Sequence, residues 1–281
     1  MPPHREGEEP KARSKCEQAG ERKAPVGETT KISWANKTWN GWKGCHEVSP
    51  GCTGCYAKAA FKRTGWDFNQ VTRTKTWGDP DKWQKKLNGT DKCEMVFTCS
   101  WSDFWLPEAD QWRGEAWDVI RRCPNLIWQI LTKRPGLMPK RLPPDWGQGW
   151  PNVWLGVSVE NKDWLWRITE LKKVPAAVHF LSLEPLLEDV CPKLDAYLDD
   201  IEWVIVGGES GNGTPNFRPM DLEWARRIRD LCKRRGVPYF FKQSAARRTE
   251  MGTKLDGQTL REYPPLPTGG SLPGRLVKEK G

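Results

Sequence analysis

The chain has 281 residues, 37% of them hydrophobic and 29% charged, with a net charge of +9 and a mean hydropathy of -0.74. No run approaches the ~20 apolar residues that span a bilayer, and the opening Met-Pro-Pro-His-Arg-Glu is no apolar leader; the expectation is a cytoplasmic protein without membrane contact. Disulfides rarely persist there, so the nine cysteines are read for metal or redox chemistry, while three histidines leave little for His-based sites.

Residues 1–30 are charged and nearly free of large apolar side chains, too poor in buriable surface to offset ordering entropy, and are expected to be a disordered extension. Within 31–263, apolar β-rich runs at 94–99, 126–132, 153–159, 177–183, 203–206 and 238–241 predict strands. Helical patterns at 56–63, 111–122, 163–173 and 222–235 lie among them. In the last, Asp221 suits an N-cap, Leu222, Ala225, Ile228, Leu231 and Cys232 form one apolar face, and Gly236 with Pro238 stops it. Residues 264–281, opening with Pro264-Pro265-Leu266-Pro267, are expected to be a flexible basic tail. Near-continuous apolar strands alternating with helices predict an α/β fold with a parallel sheet, and a body of this length is about the size of one (β/α) barrel.

Each predicted strand is followed by polar or charged residues. Ser102 and Asp103 follow the first, and Lys133 and Arg134 the second. Ser158 and Glu160 close the third, Glu184 the fourth, Gly207-Gly208-Glu209 the fifth, and Lys242-Gln243 the sixth. In parallel α/β folds the loops at the carboxyl ends of strands converge on one face, where ligands bind. Six such ends in succession predict one shared site. Gly207 and Gly208 allow close approach of a ligand to the backbone, and Glu209 beside them can accept from an ammonium or a ribose hydroxyl. No dinucleotide fingerprint and no phosphate-binding P-loop occurs.

Cys45, Cys52 and Cys55 form a C-x6-C-x2-C loop, and Pro50, Gly51 and Gly54 let its backbone curl so that three thiolates converge. Three clustered cysteines suit a [4Fe–4S] cluster that leaves one iron open to S-adenosylmethionine. A closed structural zinc site needs a fourth ligand, and His46 adjoins Cys45 too closely to serve well. Unliganded thiols are the third alternative.

Lys31-Ile32-Ser33-Trp34, Thr38-Trp39-Asn40, the cysteine loop with Tyr56-Ala57, Ser102-Asp103, Gln129 to Pro135, Leu155 to Glu160, Phe180 to Leu186, Trp203 to Gly211, Phe241-Lys242-Gln243 and Leu255-Asp256-Gly257 together form a recognisable series. Over about residues 31–263 it resembles a phage and prophage family of three-cysteine proteins of unknown function, which itself looks like a divergent branch of the radical S-adenosylmethionine barrels. The resemblance implies a complete or partial (β/α) barrel of TIM type and a cluster held by Cys45, Cys52 and Cys55. It also implies a three-cysteine-motif partner protein. Gln243 is followed by Ser244-Ala245 where the family tends to have Trp-Gly, Asn40 by Gly41 where Pro is usual, and residues 1–30 have no counterpart.

Two function classes follow. In the first, a radical enzyme, Ser102, Asp103, Ser158, Glu160, Glu184, Gly207, Gly208 and Glu209 cradle S-adenosylmethionine, and Lys133, Arg134, Lys242 and Gln243 face substrate or the cofactor carboxylate. A net +5 on residues 32–243, with Arg247, Arg248 and Lys254 beyond, suits a nucleic acid or nucleotide substrate, and equally a solvated basic surface. The second class is a non-catalytic nucleic-acid-binding module with a zinc-stapled loop. Of the 18 tryptophans, Trp101 and Trp105 flank Ser102-Asp103 and are the candidate ligand contacts; the others are read as packing.

Overall fold

A computed structural model describes residues 30–266, and the expectations for 1–29 and 267–281 lie outside these residues. In chain order the strands are β1 (Lys37–Trp39), β2 (Trp42–Lys43), β3 (Thr72–Arg73), β4 (Glu94–Thr98), β5 (Leu126–Thr132), β6 (Val153–Ser158), β7 (Val178–Leu183), β8 (Trp203–Gly207) and β9 (Tyr239–Gln243). The helices are α1 (Tyr56–Thr64), α2 (Asp79–Leu87), α3 (Asp110–Arg121), α4 (Trp166–Leu171), α5 (Cys191–Leu194) and α6 (Leu222–Arg235). Seven strands form one all-parallel sheet in the order β1-β4-β5-β6-β7-β8-β9, curled into a half-barrel. Among the described residues β1 and β9 remain its two edges. The short β2–β3 pair is antiparallel and stands apart.

The strands read as unbroken apolar runs because both faces of the sheet are covered. In β5, Leu126, Trp128 and Ile130 join an outer core with Val119 and Ile120 of α3, Ile168 of α4, and Ala225 and Ile228 of α6. Ile127 points the other way, into an inner core with Trp34, Met95, Phe97, Trp154, Phe180, Trp203 and Phe240. The chain before β1 and after β9 fills this inner space. Trp34 lies 4.5 Å from Phe97 and 6.2 Å from Trp203, ring centre to ring centre. Tyr263 lies 5.2 Å from Trp203, and its hydroxyl donates to Ser33 O at 3.3 Å.

Helix α6 has the predicted bounds: Asp221 accepts from the Glu223 N–H at 2.8 Å, and Gly236 ends the helix in the left-handed region at φ 67°. The pattern at 163–173 divides instead into a 3-10 turn at Lys162–Trp164 and the six-residue α4. Asn161 causes the division by accepting from the Asp163 N–H at 3.1 Å, and Pro175 forbids continuation. Trp105 is fully buried against Phe104 and Trp117, which removes it from the ligand contacts expected of it; Trp101 is exposed. No helix among the described residues is long and apolar enough to cross a membrane.

Candidate functional site

The cysteine loop leaves β2 and enters α1, and on the way it crosses the carboxyl ends of the parallel strands. Three strand-end carboxylates, each with an arginine, fasten it there. Asp103, beyond β4, is buried; its Oδ2 accepts from Thr132 Oγ1 at 2.7 Å, from the Lys133 N–H at 3.2 Å and from Arg134 Nη1 at 3.2 Å. Arg134 continues to the loop, with Nη1 3.6 Å from Cys45 Sγ and Nη2 donating to His46 O. Burial first, then the Asp103 charge, pushes the Cys45 thiol up to about 12 against the opposing influence of Arg134.

Glu160, beyond β6, is wholly buried. It accepts from Arg167 Nη1 at 2.9 Å and from Ser49 Oγ at 2.7 Å, with Lys133 Nζ 3.6 Å away, and Ser49 Oγ lies 3.9 Å from Cys52 Sγ. Ser158 is also buried, and its carbonyl accepts from the same Arg167 at 2.8 Å. Glu209, beyond β8, receives a fork from Arg218, whose Nε is 3.0 Å from Oε2, and the Arg218 N–H at 2.8 Å. Burial would raise the Glu209 carboxyl, but Arg218 outweighs it and holds it below the usual carboxylate range. Arg218 Nη1 reaches Pro50 O at 2.9 Å, and Asn212 Nδ2 donates to Gly54 O at 3.3 Å.

These contacts explain two of the loop's glycines. A Cβ on Gly51 would sit 2.5 Å from Glu160 Oε1, and one on Gly54 would collide with Glu209 Oε1. The absence of a side chain lets the loop lie directly on the two carboxylates.

The other predicted site residues occupy the same rim. Ser102 Oγ donates to Gly44 O at 2.5 Å, tying the end of β4 to the start of the cysteine loop. Lys242 Nζ donates to Glu184 Oε1 at 2.5 Å, and a Cβ on Gly207 would lie 3.1 Å from the Glu184 carboxyl carbon. The Gly208 N–H donates to Gln243 O at 2.9 Å, while Gln243 Nε2 returns to Gly208 O at 3.1 Å and its Oε1 receives the Glu250 N–H. The six strand ends are thus brought together, in the pairs Asp103–Arg134, Glu160–Lys133, Glu184–Lys242 and Gly208–Gln243. Arg247 and Arg248 are exposed beyond β9, and Arg247 Nη2 donates to Gly213 O at 3.3 Å, one residue from the Asn212 that holds Gly54.

Sequence reasoning missed Ser49, Asn212, Arg167 and Arg218. The last two carried a usable signal, since each arginine follows its strand-end glutamate by 7 or 9 residues within the same connection.

Among the described residues no three His, Cys, Asp or Glu side chains are gathered closely enough to grip a metal ion as they stand. The donor set still suits a thiolate-held group. Cys45, Cys52 and Cys55 are partly exposed thiols on one loop, and Cys45 and Cys55 are within electrostatic reach of each other. Cys93, Cys99, Cys123 and Cys232 are buried in the cores, and His46 is occupied by Glu108 at 2.7 Å. The residues present therefore fit three-thiolate ligation better than a four-ligand zinc site.

No curated protein and no solved structure matches the chain. Residues 29–264, the cysteine loop and all six strand ends among them, match the family described as "Protein of unknown function (DUF5131)", and the chain belongs to that family.

Proposed function

We propose that this protein is an iron–sulfur enzyme that uses S-adenosylmethionine to start radical chemistry on a nucleic acid or nucleotide. The observation that carries the proposal is the seat of the three-cysteine loop: it lies across the carboxyl ends of a curled parallel sheet, where six strand ends converge. The resemblance to phage and prophage three-cysteine proteins, and through them to radical S-adenosylmethionine barrels, supports the choice of cofactor. When bound, a [4Fe–4S] group held by three thiolates supplies an open iron for the amino and carboxylate groups of S-adenosylmethionine and the electron that starts the reaction.

In this reading Cys45, Cys52 and Cys55 are the ligands. Asp103, Glu160 and Glu209, already committed to arginines, hold the loop in place and so set the direction in which the thiols point. Arg134, beside Cys45, offers positive charge to a thiolate. Glu184 and Lys242 form a charged pair with part of each side chain open, suited to the amino and carboxylate ends of the cofactor. Gly207 and Gly208, expected to admit the cofactor, are buried instead, and a Cβ on Gly208 would collide with the Ala245 backbone, so these glycines pack the end of β8 against the chain beyond β9. A three-cysteine-motif protein is the proposed partner.

The test is anaerobic reconstitution with iron and sulfide, reduction, and mass spectrometry for 5′-deoxyadenosine. The expected product is brown, contains iron and releases 5′-deoxyadenosine. Cys45→Ala, Cys52→Ala and Cys55→Ala should each lose the iron, and Cys93→Ala and Cys232→Ala should retain it. Glu184→Gln should keep iron yet weaken S-adenosylmethionine binding by ~1–3 kcal/mol in calorimetry, the value of a hydrogen bond to a charged group. A colourless protein with stoichiometric zinc would replace the enzyme with a metal-stapled binding module.

A further inference from the structure

We propose that the exposed face of α1, beside the cysteine loop, is a binding surface for single-stranded nucleic acid. The inference deepens the substrate half of the function proposed above and rests on it.

Charge points to this place first. Residues 43–75 contain six lysines and arginines against two acids, which accounts for +4 of the +5 carried by residues 32–243. The body of the protein is therefore nearly neutral except for the excursion that bears the cysteines. On α1, Lys58, Lys62 and Arg63 are exposed; Lys58 is tied to Glu47, whereas Lys62 and Arg63 make no ion pair among the described residues. Two adjacent unneutralised cations at a helix end attract a polyanion.

Aromatic exposure is concentrated at the same place. Five large hydrophobic side chains are exposed among the described residues, and three of them, Tyr56 at 43%, Trp66 at 51% and Trp101 at 39%, surround α1. Trp66 and Trp101 both stand edge-on to the buried Phe61 of this helix, at 5.8 and 6.1 Å between ring centres, so their orientation is fixed from below. Lys43 lies over the Trp66 ring. Tyr56 is held by its hydroxyl, which donates to Ser100 O at 2.7 Å, and it directly follows Cys55.

Rigid exposed rings with interspersed cations match unpaired bases on a phosphate chain, because every base offers a face for stacking. A duplex hides those faces, and an acidic peptide supplies the charge without the rings. A strand bound along α1 would pass Tyr56 and hence the cysteine loop, which brings a nucleotide of that strand to the proposed reaction centre.

The experiment is fluorescence anisotropy of the full chain with labelled single-stranded RNA, single-stranded DNA and duplex of the same sequence, without S-adenosylmethionine or reductant, across a salt series. Single strands should bind more tightly than duplex, and the RNA and DNA arms identify which single strand is preferred. Trp66→Ala and Trp101→Ala should each weaken binding ~5-fold or more, in keeping with the loss of one stacked base. Trp66→Phe should restore most of the loss, and circular dichroism should show all these variants folded. Lys62→Ala and Arg63→Ala should each flatten the dependence of log K on log salt by roughly 0.7, the share of one phosphate in a single strand. Equal affinity for duplex, unchanged affinity of both tryptophan variants, or equal competition by a polyglutamate peptide would overturn the proposal; the last would make an acidic protein the partner. Because no cofactor is present, a failure here leaves the iron and 5′-deoxyadenosine results untouched. Conversely, oligonucleotide binding that survives while iron is absent tells against the radical reading alone.

Discussion

At Gly54 the space a methyl group would take is already filled by the Glu209 carboxylate, which Arg218 fixes by its forked contact. Gly54→Ala must therefore push aside either the cysteine loop or a fastened ion pair. Overpacking of this kind costs roughly 1–3 kcal/mol. In urea denaturation the Gly54→Ala variant should lose about that much, and Gly54→Ala combined with Glu209→Ala should lose less than the two single changes added together, because they compete for one space. Strict additivity would mean that the loop does not rest on Glu209 in solution. The same crowding shows why the strand-end carboxylates mislead a reader of sequence. Asp103, Glu160 and Glu209 look like free acceptors for a ligand, yet each is engaged by an arginine, and Arg134 is 31 residues from Asp103. Which acids are occupied and which are open is decided by the fold, whereas the presence of polar residues at every strand end is visible in the chain.

Helices and strands differ in how openly the sequence announces them. Helix α6 carries a capping aspartate, a continuous apolar stripe and a terminal glycine, three local signals that agree. Strand β1 has only three residues and β2 and β3 two each, too short for an alternation to register, and none is evident from the sequence. Helix α2 is hidden for another reason: seven of its nine residues are polar or Pro, and it is held through Gln84, whose amide donates to Asn125 Oδ1 at 2.7 Å. Helix α3 shows an element anchored by charge. Asp110 in its first turn accepts from Arg113 Nη2 and from Arg141 Nε, both at 2.8 Å, while the buried Arg113 also donates to the carbonyls of Phe104 and Leu106. Burial would raise the Asp110 carboxyl; the hydrogen bonds from Arg141 and Arg113 overcome it and hold it below the ordinary range. A carboxyl depressed in the folded state contributes stability above its unfolded value near pH ~3.9, and that contribution disappears as pH falls through the folded value. Half the side chain is exposed, so screening keeps the contribution at ~1 kcal/mol or less. Asp110→Asn should accordingly be less stable than the parent at neutral pH, and the two acid-unfolding curves should converge as the pH falls from the unfolded value through the depressed folded one. A gap that persists unchanged into acid would assign the effect to side-chain packing.

Across the whole molecule, the alternation of the strands divides the apolar side chains between an outer core beneath the helices and an aromatic inner core within the curl. The outer core could be anticipated from the strand–helix alternation; the inner one could not, because its lid comes from segments with no regular structure, 30–35 and 260–266. Trp34, 2% exposed, belongs to that lid, and Trp34→Ala should cost ~3–5 kcal/mol in denaturant unfolding, as large aromatic truncations in cores do. A loss below ~1 kcal/mol would show that the curl closes without it. The hydrogen bond from Tyr263 to Ser33 joins residues 230 apart in the chain. During synthesis, then, the half of the lid that carries Trp34 is made before any strand of the sheet, whereas the half at 260–266 follows the last strand, and the rings of Trp154, Trp203 and Phe240 stay partly uncovered until it has been made. A stop codon placed shortly before Tyr263 would leave a complete sheet whose aromatic bowl is sealed on the Trp34 side alone, a species with exposed apolar surface that chaperones and proteases would meet.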